Sequence, residues 1–218
     1  MARDAFRAQL DTLNRELHVM GVLVQQAING AVTALVTRNV PAAQVVVERD
    51  QDVNLAYANI ERLCLELLAL QQPLAGDLRR ITAILKVITD LERMADHAVD
   101  IAKVVMRLGG QAHIKPLVDI PAMATLAQAM VADALGAFVQ RDPQRALAMI
   151  AKDDEVDRLH KTVILDLQAL MEQDSRTVAQ GIQLLFVSTA LERIGDHATN
   201  LGEWLLYLET GEKQELNK

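Results

Sequence analysis

An all-α fold, a tandem repeat of two antiparallel three-helix bundles built from six long helices, is predicted by three features of the sequence. The 218 residues are dominated by Ala, Leu, Val, Ile, Glu, Gln and Arg, with 3% aromatics, ten glycines and five prolines, a composition that favours helix. Apolar residues recur at steps of three and four over long stretches instead of alternating. The string DLERMADHAVDIA at Asp90 to Ala102 returns as ALERIGDHATNLG at Ala190 to Gly202, an offset of 100 residues. Self-similarity at a fixed offset marks a repeat architecture. The expected division is a first repeat over 1–110, a linker over 111–120, a second repeat over 121–210 and a polar tail over 211–218.

The first helix is expected from about Asp4 to Thr37, with Leu10, Leu13, Leu17, Met20, Val24, Ala27, Ala31 and Ala34 on its buried stripe. Asn39 followed by Pro41 reads as a stop and restart, proline being tolerated in the opening turn of a helix. The second helix continues to about Leu70, and Gln71-Gln72-Pro73 is the next turn. From Leu74 a third helix carries Leu78, Ile81, Leu85 and Ile88 in the same rhythm, which places Glu92 where an apolar residue was due. That carboxylate therefore faces at or beside the core, where an unpartnered charge is costly. Gly109-Gly110 ends this helix, and the stretch through His113, Pro116 and Pro121 is the linker. The fourth helix spans roughly Pro121 to Gln140. Asp142-Pro143 caps and opens a fifth that reaches about Glu172, and Asp174-Ser175 caps a sixth that runs to about Glu209.

A net charge of −7 with no basic run argues against a nucleic-acid partner, which would need its phosphates neutralised. The single cysteine, Cys64, sits in the apolar run LCLELL and reads as a small buried hydrophobe. The N-terminal MARDAFRAQL has no long apolar block, so no signal peptide is expected. Charged or Gln residues interrupt every apolar run short of a membrane span, and a cytoplasmic protein without membrane insertion is the expectation.

Each repeated string holds a Glu and an Asp four residues apart, Glu92 with Asp96 and Glu192 with Asp196, which a helix places on one face a turn apart. Like charges there repel, so a cation or nearby arginines should accompany them. The hairpins act as rulers, because residues equally far from an antiparallel turn lie at equal height. Asp50 and Asp96 are each 23 residues from Pro73, and Asn54 and Glu92 are each 19. Asp153 and Asp157 mirror Asp196 and Glu192 about the Asp174-Ser175 junction. The first face is thus Asp50, Asn54, Glu92, Asp96 and, a turn on, Asp100; the second is Asp153, Asp157, Glu192, Asp196 and Asn200. Asn and Asp exchange places, so each face keeps four acids. An oxygen-rich set without thiolates suits Mg, Ca, Mn or ferric iron, and His97 and His197 would extend it to Zn or Fe(II). Both histidines lie about 100° round the helix from their Asp, so they read as hydrogen-bonded histidines before they read as ligands. Arg93 with Asp96 and Arg193 with Asp196 are also compatible with plain surface ion pairs, which contribute little. Metal binding is the reading that the doubled, facing placement favours. Asp157-x-x-His160 has Asn54 and Tyr57 as its counterpart and is read as chance.

The turn QQPLAGDLR at Gln71 to Arg79 and the two Leu-Glu-Arg-x-x-Asp-His-Ala segments, within two three-helix repeats, resemble the PhoU family of phosphate-signalling regulators. The resemblance implies multinuclear iron or zinc clusters, with Mn or Mg as alternatives, on Glu92, Asp96, Asp153, Asp157, Glu192 and Asp196, and more weakly on Asp50. Asn54 departs from the acidic pattern, and Asp100 would compensate. The turn before the last helix lacks the proline and the Asp-Leu-Arg of its counterpart, so a partner contact through Asp77 and Arg79 belongs to the first repeat alone. The resemblance further implies a non-enzymatic, homodimeric cytoplasmic negative regulator. It would couple the ATPase of the phosphate ABC transporter to the sensor histidine kinase when phosphate is plentiful. No Gly-rich phosphate loop, nucleophile elbow or kinase motif appears. The rival readings are a carboxylate-bridged di-iron enzyme, which would add Glu-x-x-His on two helices where this chain has none, and a metal-free helical scaffold.

Overall fold

The structure, a computed structural model, describes residues 2–71, 73–212 and 215–216, with the side chains of 2–5 and 71 left aside. Gln72 of the predicted turn and residues 213, 214, 217 and 218 of the predicted tail lie outside the described residues. Every regular element among them is helical: α1 Ala2–Thr37, α2 Val40–Gln71, α3 Ala75–Leu108, α4 Asp119–Gln140, α5 Pro143–Leu147, α6 Ile150–Gln173, a short 3-10 turn Ser175–Thr177, and α7 Val178–Thr210.

The helix ends follow local chemistry. Asn39 Oδ1 accepts from Ala42 N–H at 3.0 Å, Asp142 Oδ1 accepts from Gln144 and Arg145 N–H, and Asp174 Oδ1 accepts from Arg176 N–H at 2.9 Å. Each satisfies amide donors that an opening helical turn leaves without partners. Gly109, at φ 60°, closes α3 with its N–H on the Val105 and Met106 carbonyls, a backbone that a residue with a Cβ adopts only under strain.

The predicted fifth helix is in fact two. α5 stops after Leu147, and the chain turns at Ala148 and Met149 before α6 begins. Ala146 and Met149 are buried there, packed where α7 presents Gly202: a Cβ at that glycine would meet Met149 Cε at 2.9 Å and Ala146 Cβ at 3.5 Å. The break is thus accommodated by a helix far along the chain.

α1, α2 and α3 form one antiparallel bundle, α4, α6 and α7 the other, and the two join through α3 against α7 and α1 against α4. One continuous cluster of buried side chains runs through both. The α1 stripe is Leu10, Leu13, Leu17, Met20, Val24, Ile28, Ala31 and Leu35, each 4% exposed or less. Ile28 takes the place expected of Ala27, which is half-buried. Each such Leu, Ile or Met contributes roughly 1.5–3 kcal/mol by leaving water.

The expectation that no apolar run approaches a membrane span needs correction. Phe6–Thr37 and Asp119–Gln140 contain 18-residue windows of mean hydropathy 1.6 and 1.5, long and apolar enough by composition, with 44% and 50% of the window buried inside the fold. Their apolar character serves the core, since α1 and α4 each pack on helices of both bundles.

The linker is tied down at several points. His113 Nε2 lies 2.9 Å from the Leu35 carbonyl, Gln180 bonds Ile114 N–H and the Ala112 carbonyl, and Lys115 Nζ sits 2.6 Å from Asp166.

Candidate functional site

Two acidic faces and one seam between the repeats hold the polar chemistry. On α3, Glu92 stands beside the buried Leu91 with its own side chain 25% exposed, at the edge of the core as its register implies. Burial, the Asp96 carboxylate and, across the hairpin, Asp50 push its carboxyl above the ordinary value, with Arg93 opposing. Arg93 lies 3.4 Å from Glu92 and 2.9 Å from Asp96, and Asn54 donates to Asp50 at 3.0 Å. Asp100 points along the seam, 3.7 Å from Lys103 and beside His97.

The second face is charged more awkwardly. Glu192 is pushed up by burial, then by Asp196 and Asp157, and Asp196 by burial and Asp157. Asp153 is only 7% exposed. It fits because α7 carries Gly195 opposite: a Cβ there would lie 3.2 Å from Asp153 Oδ1. The first repeat has Ala95 at that position, and its Asp50 is correspondingly less buried. Arg193 opposes both shifts and also lines a pocket with His97 and Arg107. Carboxylates gathered across α6 and α7, with Glu192 and Asp196 raised, are oxygen donors of the kind that hard or borderline cations take. Among the described residues no three of His, Cys, Asp and Glu are grouped so as to hold a metal ion, and binding one would require these side chains to rotate inward. A metal bound there would supply positive charge that offsets this repulsion.

The histidines serve the seam. His197 Nδ1 is 2.9 Å from Asp90 Oδ1, and the His97 and His197 rings lie 5.7 Å apart, tilted by 31°. Asp90 also accepts from Asn200 Nδ2 at 3.1 Å and Trp204 Nε1 at 3.3 Å, while Lys86 Nζ stands 6.0 Å from the Trp204 ring centroid. Sequence reasoning missed this clasp. The available signal was that Asp90 and Trp204 are matched by Ala190 and Val104 in the other copy. His160 pairs with the buried Ser188 at 3.1 Å, an ordinary structural role for the Asp157-x-x-His160 spacing.

At the α2–α3 turn, Asp77 and Arg79 are half-buried, between Leu70, Leu74 and Leu78, which are 74%, 75% and 45% exposed. The Arg79 Nε is buried without a hydrogen-bond partner among the described residues.

The family profile described as "PhoU domain" matches residues 17–105 and again 120–205, the two bundles in turn. The chain belongs to the PhoU family. It is 38% identical over 218 residues, all of both chains, to the phosphate-specific transport system accessory protein PhoU homolog of Clostridium acetobutylicum. The protein so named in Aquifex aeolicus is 39% identical over 94% of this chain and 92% of its own length. The crystal structure of PhoU from Pseudomonas aeruginosa superposes with a TM-score of 0.90 at 36% identity, covering 95% of this chain and all of that one. The phosphate transport system regulatory protein PhoU from Streptococcus pneumoniae gives 0.89 at 32%, covering 96% and 99%. The all-helical double bundle is therefore the family's fold.

Proposed function

We propose that the chain is an accessory regulator of phosphate transport that acts without catalysis in the cytoplasm. When phosphate is plentiful it couples the ATPase of the phosphate ABC transporter to the sensor histidine kinase and damps both uptake and the starvation response. The observation that carries this reading is likeness over the whole chain to relatives named as phosphate-specific transport accessory proteins. Iron or zinc clusters on the two acidic faces, with Mn or Mg as alternatives, are part of the proposal. They are supported by the raised carboxyls of Glu92, Glu192 and Asp196, and the second face is the stronger candidate because Asp153 is buried against it. A homodimer completes the proposal. The exposed leucines around Asp77 and Arg79 suit a protein partner, since apolar area rimmed by charge is what such interfaces use.

The test is a phosphate-starvation reporter such as alkaline phosphatase, in phosphate-rich cells of the source organism freed of this gene and of any second family member. High output that falls when this gene alone is restored is expected. Output that stays low in the deletion strain would overturn the reading.

A further inference from the structure

The two repeat copies serve as internal controls for each other along the α3–α7 seam. The helices run antiparallel about the His97–His197 contact, and each residue of α3 corresponds to the residue numbered 100 higher on α7. At one end of the seam, Asp90 supplies a carboxylate to His197 and Trp204 supplies an indole, and the two bond each other. At the other end the corresponding residues are Ala190 and Val104. Position 190 therefore offers no carboxylate and position 104 no indole, and a pocket of about 320 Å³ opens between the helices.

The pocket's walls match what is missing. His97, the counterpart of His197, lines it, and so do two arginines, Arg107 and Arg193. Arg107 is held in place by Gln183, which accepts from its Nε at 2.8 Å. Asp100, also on the wall, has Lys103 3.7 Å away, so the balance of charge is positive. Phe186 is 59% exposed, whereas Phe6 and Phe138 are 9% and 3%. It stands where the filled end has Lys86 beside the indole. An exposed ring, a small apolar floor and two lining arginines are elements that can hold a flat group with one anionic end.

We propose that this pocket binds a small aromatic anion, its ring stacked on Phe186 over Val104 in place of the absent indole and its anionic group between Arg107, Arg193 and His97 in place of the absent carboxylate. Aromatic carboxylates and nucleoside monophosphates share this chemistry. The inference is independent of the regulatory role proposed above.

Calorimetric titration of the purified full chain tests it, with indole-3-acetate and AMP as probes and indole, acetate and inorganic phosphate as controls. At least one ringed anion should bind with a Kd at least about tenfold below those of the controls, and which one does so identifies the source. Val104→Trp and Ala190→Asp rebuild the filled end within the pocket, and each should weaken that probe by about tenfold or more, as should Arg193→Ala. Circular dichroism identifies variants that remain folded, and Ala190→Asp serves should the larger Val104→Trp fail to fold. Absence of saturable binding by both ringed anions would overturn the proposal. So would phosphate or acetate binding as tightly as the ringed probes, or undiminished probe binding in the folded variants.

Discussion

Asp90 and His197, 107 residues apart in the chain, meet at 2.9 Å across the seam between the two repeats. The carboxylate is 13% exposed and accepts from Asn200 and Trp204 as well, so three groups of α7 converge on one side chain of α3. Asp90→Ala removes the acceptor and leaves these donors half-buried. A loss of about 2–3 kcal/mol in urea unfolding at neutral pH is expected, given the larger worth of hydrogen bonds to charged groups. A change below about 0.5 kcal/mol, the range of ordinary surface substitutions, would show that the clasp contributes nothing to joining the repeats.

Gly195 leaves room for the buried Asp153 carboxylate. In Gly195→Ala the gain in helix propensity, about 1 kcal/mol, works against a 3.2 Å approach to Asp153 Oδ1, so stability should stay near wild type while the carboxylate is displaced. Affinity for divalent metal should fall by at least about threefold, since ligand placement governs such sites. Unchanged metal affinity would remove Asp153 from the second face's donor set.

Asp133 joins α4 to the following helices through Arg145, whose Nη2 lies 2.9 Å away, and Lys152. Burial works to raise its carboxyl, but the hydrogen bonds from Lys152 and Arg145 outweigh burial and hold it below the ordinary value. A depressed carboxyl stabilises the fold above its unfolded value, and that contribution is lost as pH falls through the folded one. Asp133→Asn should therefore be less stable than wild type at about pH 7, with the gap closing toward about pH 3. A gap of constant size across that range would contradict the assignment.

Cys64 is fully buried, and burial, with Glu61 adding to it, pushes its thiol up to about 12. The thiolate is the reactive form, so iodoacetamide at about pH 8 should leave the native protein unlabelled and modify it promptly in urea. Labelling of the native state at the unfolded rate would contradict the buried placement.

How legible the molecule was depends on how local each cause is. The starts near Asn39, Asp142 and Asp174 could be read because the cap and the amides it serves lie within three residues of one another. The break at Ala148 and Met149 could not, because the glycine that accommodates it, Gly202, is on another helix. Counting from the hairpin turns placed Asp157, Asp153, Glu192 and Asp196 within electrostatic reach, since helix rise is uniform. Counting could not show that Gly195 lets Asp153 sink deeper than Asp50. The Asp90 clasp and the empty end of the seam were hidden for a related reason. The repeated string marks what the copies share, whereas these features arise where the copies differ, at 90 against 190 and 104 against 204.

Metal content per chain, measured by mass spectrometry on protein purified without chelator, tests most directly whether the acid faces are cation sites. About one or more iron or zinc ions per wild-type chain are expected, most of the metal lost in Glu192→Ala/Asp196→Ala and a smaller share in Glu92→Ala/Asp96→Ala. Wild-type protein without stoichiometric metal, or double variants that retain the full complement, would contradict this expectation.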